Sequence, residues 1–178
     1  ALTDLYCNGN LLNTLDATNN VNLTVLVCYG NSFLTSLNVS TNIALTDLQC
    51  YNNSLTSLDV TNNVNLTQLL CGDNSLTSLD VSEISGLTNL VCSGNQLTTL
   101  DVSANTALWT LRCGSNQLTS LDVSTNVLLE ELVCDSNQLT SLNVSANTAL
   151  GSLACSSNQL TSLDVSDISG LTNLVCSG

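Results

Sequence analysis

The sequence predicts a mainly β solenoid: a right-handed stack of coils of about 21 residues, with a parallel β-sheet on the concave face, a convex face of extended segments or short strands, and little helix. Three observations lead there. Nine cysteines, at positions 7, 28, 50, 71, 92, 113, 134, 155 and 176, divide the 178 residues into about eight and a half units, and self-similarity at a short fixed period marks a repeat array. Leucines recur around each cysteine in strand-like alternation, and no segment carries a helical period. Apolar residues make up 43% of the chain, yet no single unit can bury its own leucines, so only the stack makes a core.

Each unit reads L-x-x-L-x-C-x-x-N-x-L-T-S-L-D-V-S-x-N-x-x, almost undiluted in Leu66, Leu69, Cys71, Asn74, Leu76, Leu79, Asp80, Val81 and Ser82. Its first eleven positions are the leucine-rich repeat signature, with cysteine replacing the third leucine throughout. The Leu-x-Cys stretch alternates in and out as a short strand does. The asparagine of C-x-x-N, from Asn10 and Asn31 through to Asn158, places a side-chain amide where each turn leaves backbone groups unpaired. The second half, L-T-S-L-D-V-S, favours extended structure, with Leu and Val inward and Thr and Asp outward. The spacing breaks once, where Phe33 lengthens the stretch between Cys28 and Cys50 by a single position. We expect this insertion to bulge locally without shifting the ladder. A longer period also shows: Asp80-Val81-Ser82-Glu83-Ile84-Ser85-Gly86-Leu87 returns as Asp164-Val165-Ser166-Asp167-Ile168-Ser169-Gly170-Leu171, four units on, as if a block of that length had been duplicated.

Composition narrows the function. The chain has one basic residue, Arg112, against 14 acids, a net charge of −13, and no His, Met or Pro. Nucleic-acid binding needs several Lys or Arg for counterion release, so no nucleic acid is expected as partner. The usual acid–base residues are missing and no motif couples a nucleophile, a base and an oxyanion site, so the chain is not expected to be an enzyme or to need a cofactor. No apolar run approaches the roughly 20 residues that span a bilayer, so no membrane insertion is expected. The reading is one array over residues 1–178, an excerpt of a longer protein without its caps.

The unit resembles the 21-residue, cysteine-bearing leucine-rich repeats of bacterial surface proteins, internalin J-like arrays and secreted proteins of Bacteroidetes among them. The resemblance covers essentially the whole chain. It implies an extracellular or cell-surface protein whose array binds another macromolecule, a protein or a glycan, often with adhesion as the outcome. Which partner is bound is left to the variable positions, because framework residues define the fold alone.

The cysteines each occupy an inward slot, which favours a ladder of reduced, buried thiols acting as small hydrophobes over disulfides, and their wide, even spacing without any His gives no zinc pattern. A column of outward acids runs through Asp59, Asp80, Asp101 and Asp122. Its structural explanation is that each carboxylate accepts hydrogen bonds within its own D-V-S turn; its functional alternative is Ca²⁺ held between rungs. The sequence favours the first and assigns no metal.

Ligand specificity should lie on the outward positions of the L-x-C strand, beside an apolar stripe of Val27, Leu70, Val91, Val133, Ala154 and Val175. Two concentrations stand out there. Tyr6, Tyr29 and Tyr51 are all the tyrosines of the chain, flanked by Asp4, Asp47 and Gln49; aromatic faces beside carboxylates and amides suit a sugar platform or a protein hot spot. Trp109 and Arg112, the only Trp and the only base, fall near Glu130, Glu131 and Asp135 of the next unit. The leading expectation is a non-catalytic surface binding module. The alternative is a spacer or filament subunit, self-associating through uncapped ends.

Overall fold

The computed structural model describes residues 1–178 as one solenoid with no helix. Nine three-residue strands, β1 (Asp4–Tyr6), β2 (Val25–Val27), β3 (Asp47–Gln49), β4 (Gln68–Leu70), β5 (Asn89–Val91), β6 (Thr110–Arg112), β7 (Glu131–Val133), β8 (Ser152–Ala154) and β9 (Asn173–Val175), form one sheet in chain order. Every pairing is parallel, and each strand's central leucine sits beside the next one's, as Leu48 beside Leu69 and Leu69 beside Leu90. Coil pairs with coil because the central Leu of each strand and the Cys just past its end point inward, and neither has a core until the next coil covers it.

Beyond the strand the ladder continues. The Cys71 N–H donates to the Val91 carbonyl at 2.8 Å and the Asp73 N–H to the Ser93 carbonyl at 2.8 Å. Two residues after each cysteine the backbone turns in the left-handed region, at Gly9 (φ 67°), Gly30 (φ 69°) and Gly94 (φ 67°), but also at Asn52 (φ 53°), Asp73 (φ 51°), Ser115 (φ 53°), Ser136 (φ 54°) and Ser157 (φ 52°). The first asparagine row then closes the corner. Asn116 Nδ2 donates to the carbonyls of Cys113 and Cys92, both at 3.1 Å, while its Oδ1 accepts the Leu97 N–H at 3.0 Å.

The convex half forms no strand. It is extended, and two successive turns close it: the Asn63 N–H bonds the Val60 carbonyl at 2.9 Å and the Leu66 N–H bonds the Asn63 carbonyl at 3.1 Å. A second asparagine row lies buried here. Asn126 Nδ2 donates to Val102 at 3.0 Å and Asn105 at 2.9 Å, the carbonyls of the preceding coil. Its Oδ1, like that of Asn42, Asn63, Asn105 and Asn147, has no partner. Half-satisfied amides of this kind can give way to an apolar residue, and Ile84 and Ile168 stand in the row, both buried.

The core is a single cluster of 42 buried residues, almost all Leu, Val and Cys from the framework positions. Phe33 is absorbed as expected. Val25 pairs with Asp47 and Leu26 with Leu48 despite the extra residue. The Leu34 N–H bonds the Asn31 carbonyl at 2.8 Å inside its own turn, Asn53 Oδ1 accepts the Asn31 N–H instead, at 2.8 Å, and Phe33 is left exposed.

Candidate functional site

Strand alternation puts the residues flanking each central leucine, and the residue after each cysteine, on the concave face, and in the first three coils these positions carry the tyrosines. Tyr29 and Tyr51, each one residue past its cysteine, occupy the same position of adjacent coils. Their rings stack with centroids 4.3 Å apart and planes 10° from parallel. Partial burial, and secondarily the Tyr29 phenol alongside, raise Tyr51 above the ordinary phenol value of 10.0, so it stays neutral at physiological pH. Tyr6 stands apart from the pair, 66% exposed.

Beside them runs a polar chain across three strands. Gln68 Nε2 donates to Asp47 Oδ1 at 3.0 Å, Asn89 Nδ2 to Gln68 Oε1 at 2.9 Å, and Gln49 Nε2 to Asp47 Oδ2 at 3.1 Å. Asp47 is therefore fixed in place, whereas Asp4 is exposed and accepts only from the neighbouring Thr3 hydroxyl at 2.7 Å. One expectation needs correcting. Val27 does not belong to an exposed stripe: at 5% exposure it is buried, lying in register between the larger residues Tyr6 and Gln49 of the neighbouring strands. Leu70, Val91, Val133 and Ala154 are half-buried and Val175 is exposed.

The second concentration is only partly brought together. Arg112 Nη2 reaches both Glu131 oxygens, at 2.9 and 3.1 Å. With the two side chains 49% and 29% exposed, the pair adds little stability. Asp135 lies along the same face and packs over Gly114, where a Cβ would stand 2.7 Å from the Asp135 Oδ1. Trp109 is elsewhere: it precedes β6, outside the strand, on the rim of the coil. Glu130, which the sequence already grouped with it, holds the same position one coil on; sequence reasoning missed Gly151, at that position of the coil after. The signal was present in the threonine that most other units carry there.

On the convex side each acid of the outward column is taken up by its own turn. Asp101 Oδ1 accepts the Ser103 N–H and Asp122 Oδ1 the Ser124 N–H, both at 2.9 Å. Asp59 Oδ1 accepts both the Thr61 N–H, at 3.0 Å, and the Thr61 hydroxyl, at 2.7 Å. These bonds hold the carboxyls below the ordinary value of 3.8; at Asp80 the bonds to Ser82 lower it while Asp59 and Asp101 push back. Nowhere do three or more acidic or cysteine side chains converge as a metal site. The nine cysteines are all free thiols. Burial, with a smaller push from the neighbouring thiol, raises Cys28 to about 12 and Cys50, Cys71, Cys92 and Cys113 far above the ordinary 9.0.

Fold and face together define a leucine-rich repeat array, a parallel sheet presenting variable side chains on a repeated framework. More particularly, it is of the cysteine-ladder type. It is similar to the functional domain of InlJ from Listeria monocytogenes, which includes a cysteine ladder, at 47% identity and a TM-score of 0.97 over 98% of this chain. The match covers 39% of that InlJ structure, so the chain spans well under half its length. Internalin C2 from the same species (22% identity, TM-score 0.81, 99% of this chain and 80% of that one) and YopM from Yersinia pestis (22%, 0.71, 86% and 49%) share the fold. No protein-family model and no curated protein matches the sequence.

Proposed function

We propose that the array is a non-catalytic binding module of a bacterial cell-surface or secreted protein, recognising a protein or a glycan through the concave face of its first three coils. The observation that carries this reading is the Tyr29–Tyr51 stack beside exposed Tyr6, with Asp47 held by Gln49 and Gln68. Stacked rings lose little side-chain freedom on binding, and fixed amides and a carboxylate supply directional contacts next to them. The framework gives no reason for three tyrosines to gather there, since later coils fold with Gly72, Ser93 and Gly114 at the Tyr29 position. Likeness to the cysteine-ladder domain of a Listeria internalin supports surface placement and macromolecular binding.

The test is binding of the purified array to a printed glycan array and to immobilised extracellular-matrix proteins, against the triple variant Tyr6→Ser, Tyr29→Ser, Tyr51→Ser. A ligand retained by the wild type and lost by the variant, with the far-ultraviolet spectrum unchanged, is the expected result. Undiminished binding by the triple variant would move the contact surface elsewhere.

A further inference from the structure

Just before its strand, most coils carry a threonine whose hydroxyl donates to the backbone carbonyl at the same position one coil earlier. Thr46 bonds Thr24 at 3.1 Å, Thr67 bonds Thr46 at 3.1 Å, Thr88 bonds Thr67 at 3.0 Å, and Thr172 resumes the row at Gly151, 3.0 Å. Three consecutive coils in between give the hydroxyl up, with Trp109, Glu130 and Gly151. Their backbone is unchanged. The N–H groups of Trp109, Glu130 and Gly151 each bond the preceding coil at 2.9 Å, as the N–H groups of Thr46, Thr67 and Thr88 do. The fold would take threonine at all three places, so the identities there answer to something other than folding.

What the three residues offer is specific. Trp109 is 57% exposed and stacks on no other ring. Glu130 is exposed, and its carboxylate has no hydrogen-bond or ion-pair partner, while the adjacent Glu131 is occupied by Arg112. Gly151 is required neither by its backbone nor by crowding, since a Cβ would meet nothing nearer than the Glu130 carbonyl at 3.8 Å. Its missing side chain leaves a notch on the side of Glu130 away from Trp109. Val127 and Leu128, which lead into Glu130, are exposed on the same corner.

An indole face beside an uncommitted carboxylate is the pairing that attracts an organic cation, through the ring quadrupole and through charge-assisted hydrogen bonds. The chain's charge selects the same partner: at −13, with its one basic side chain already paired, it draws cationic surfaces and repels anionic ones. We propose that Trp109, Glu130 and Gly151 form a rim seat for a cationic side chain, an arginine or lysine of a partner polypeptide, whose aliphatic stem lies against Val127 and Leu128. This seat goes beyond the concave-face reading and does not depend on it.

The probe is an end-capped penta-arginine peptide, followed by calorimetry and by the emission of Trp109, the only Trp of the chain. The wild type is expected to bind it saturably with a shift in Trp109 emission. The variants Trp109→Thr, Glu130→Thr and Gly151→Thr restore the framework residue, so they should melt no lower than wild type while weakening the peptide tenfold or more. Glu83→Gln, removing an exposed acid from the convex side, should leave affinity within twofold, as should the triple tyrosine variant of the concave face. No saturable binding, unchanged affinity in the threonine variants, or an equal loss in Glu83→Gln would overturn the proposal, the last by showing that net charge alone draws the peptide.

Discussion

Asn95 and Leu76 lie in adjacent coils, and the Asn95 Oδ1 accepts the Leu76 N–H at 2.9 Å. The same amide donates to the carbonyls of Cys92 in its own coil, at 3.0 Å, and Cys71 in the preceding one, at 3.1 Å. One side chain thus satisfies three backbone groups at a corner where the strand ladder has run out. Asn95→Ala should leave those groups without partners and lower the unfolding free energy by about 2–4 kcal/mol. Urea denaturation followed by circular dichroism measures it, and a loss under about 0.5 kcal/mol would mean that solvent replaces the amide.

The buried thiols make a second prediction, in which the direction of the pH effect is fixed. Their folded-state values lie above the ordinary 9.0, to about 12 for Cys28 and further for the central four. The stability they contribute is fully present below pH 9.0 and is lost as pH rises through the folded-state values, because the unfolded chain releases its thiol protons first. The midpoint of thermal unfolding should fall between pH 9 and 11. Iodoacetamide at pH 8 should leave Cys50, Cys71, Cys92 and Cys113 unmodified in the native array and label all nine cysteines in urea, as read by mass spectrometry.

Left-handed serines offer a route to stabilisation. Ser115, Ser136 and Ser157 hold φ values of 53°, 54° and 52° at the position that other coils give to Gly9, Gly30 and Gly94. A side chain in this region costs about 1 kcal/mol, offset in part by the greater freedom of glycine in the unfolded chain. Replacing all three by glycine should raise the melting temperature by a few degrees; a fall would show that their hydroxyls matter more than the strain.

The acidic column should tolerate neutralisation. Asn38 and Asn143 already stand in it and accept the Ser40 and Ser145 N–H groups at 3.0 Å, as the aspartates do with theirs. Asp80→Asn with Asp101→Asn keeps the turn bonds and removes the repulsion acting on Asp80, so the urea midpoint at pH 7 should hold or rise. Because these carboxyls lie below 3.8 when folded, their contribution is present above that pH and lost as pH falls through the lowered values. The double variant should therefore lose less stability than wild type between pH 4 and 2.

The coil, its inward cysteine, the first asparagine row and the harmless insertion at Phe33 were all legible in the sequence, because each depends on one coil meeting a near-copy of itself. The second row was not. Asn in D-V-S-x-N reads equally well as a turn former, and only the structure shows Asn105 and Asn126 buried with both amide hydrogens spent on the preceding coil. Of the site, the clustering of tyrosines was visible and their geometry was not. The stack of Tyr29 on Tyr51, the burial of Val27 and the tethering of Asp47 by Gln68 arise between unlike side chains on neighbouring coils, which a repeat pattern does not encode. Trp109 drew notice for its rarity, but its place on the rim follows from where β6 begins.

Each strand pairs only with the strands before and after it, and the stretch from Asp80 to Leu87 recurs at Asp164 to Leu171 with the same continuation, Thr-Asn-Leu-Val-Cys-Ser-Gly. Unequal recombination between the two copies would delete or insert four whole coils, and the junction would carry the same residues as an unbroken copy. The neighbours on either side would meet the partner they already had, so no mispaired interface would form. Length in such an array is a heritable variable separate from foldability: the gene can lengthen or shorten the molecule by whole blocks of coils, and each product inherits a core that already works.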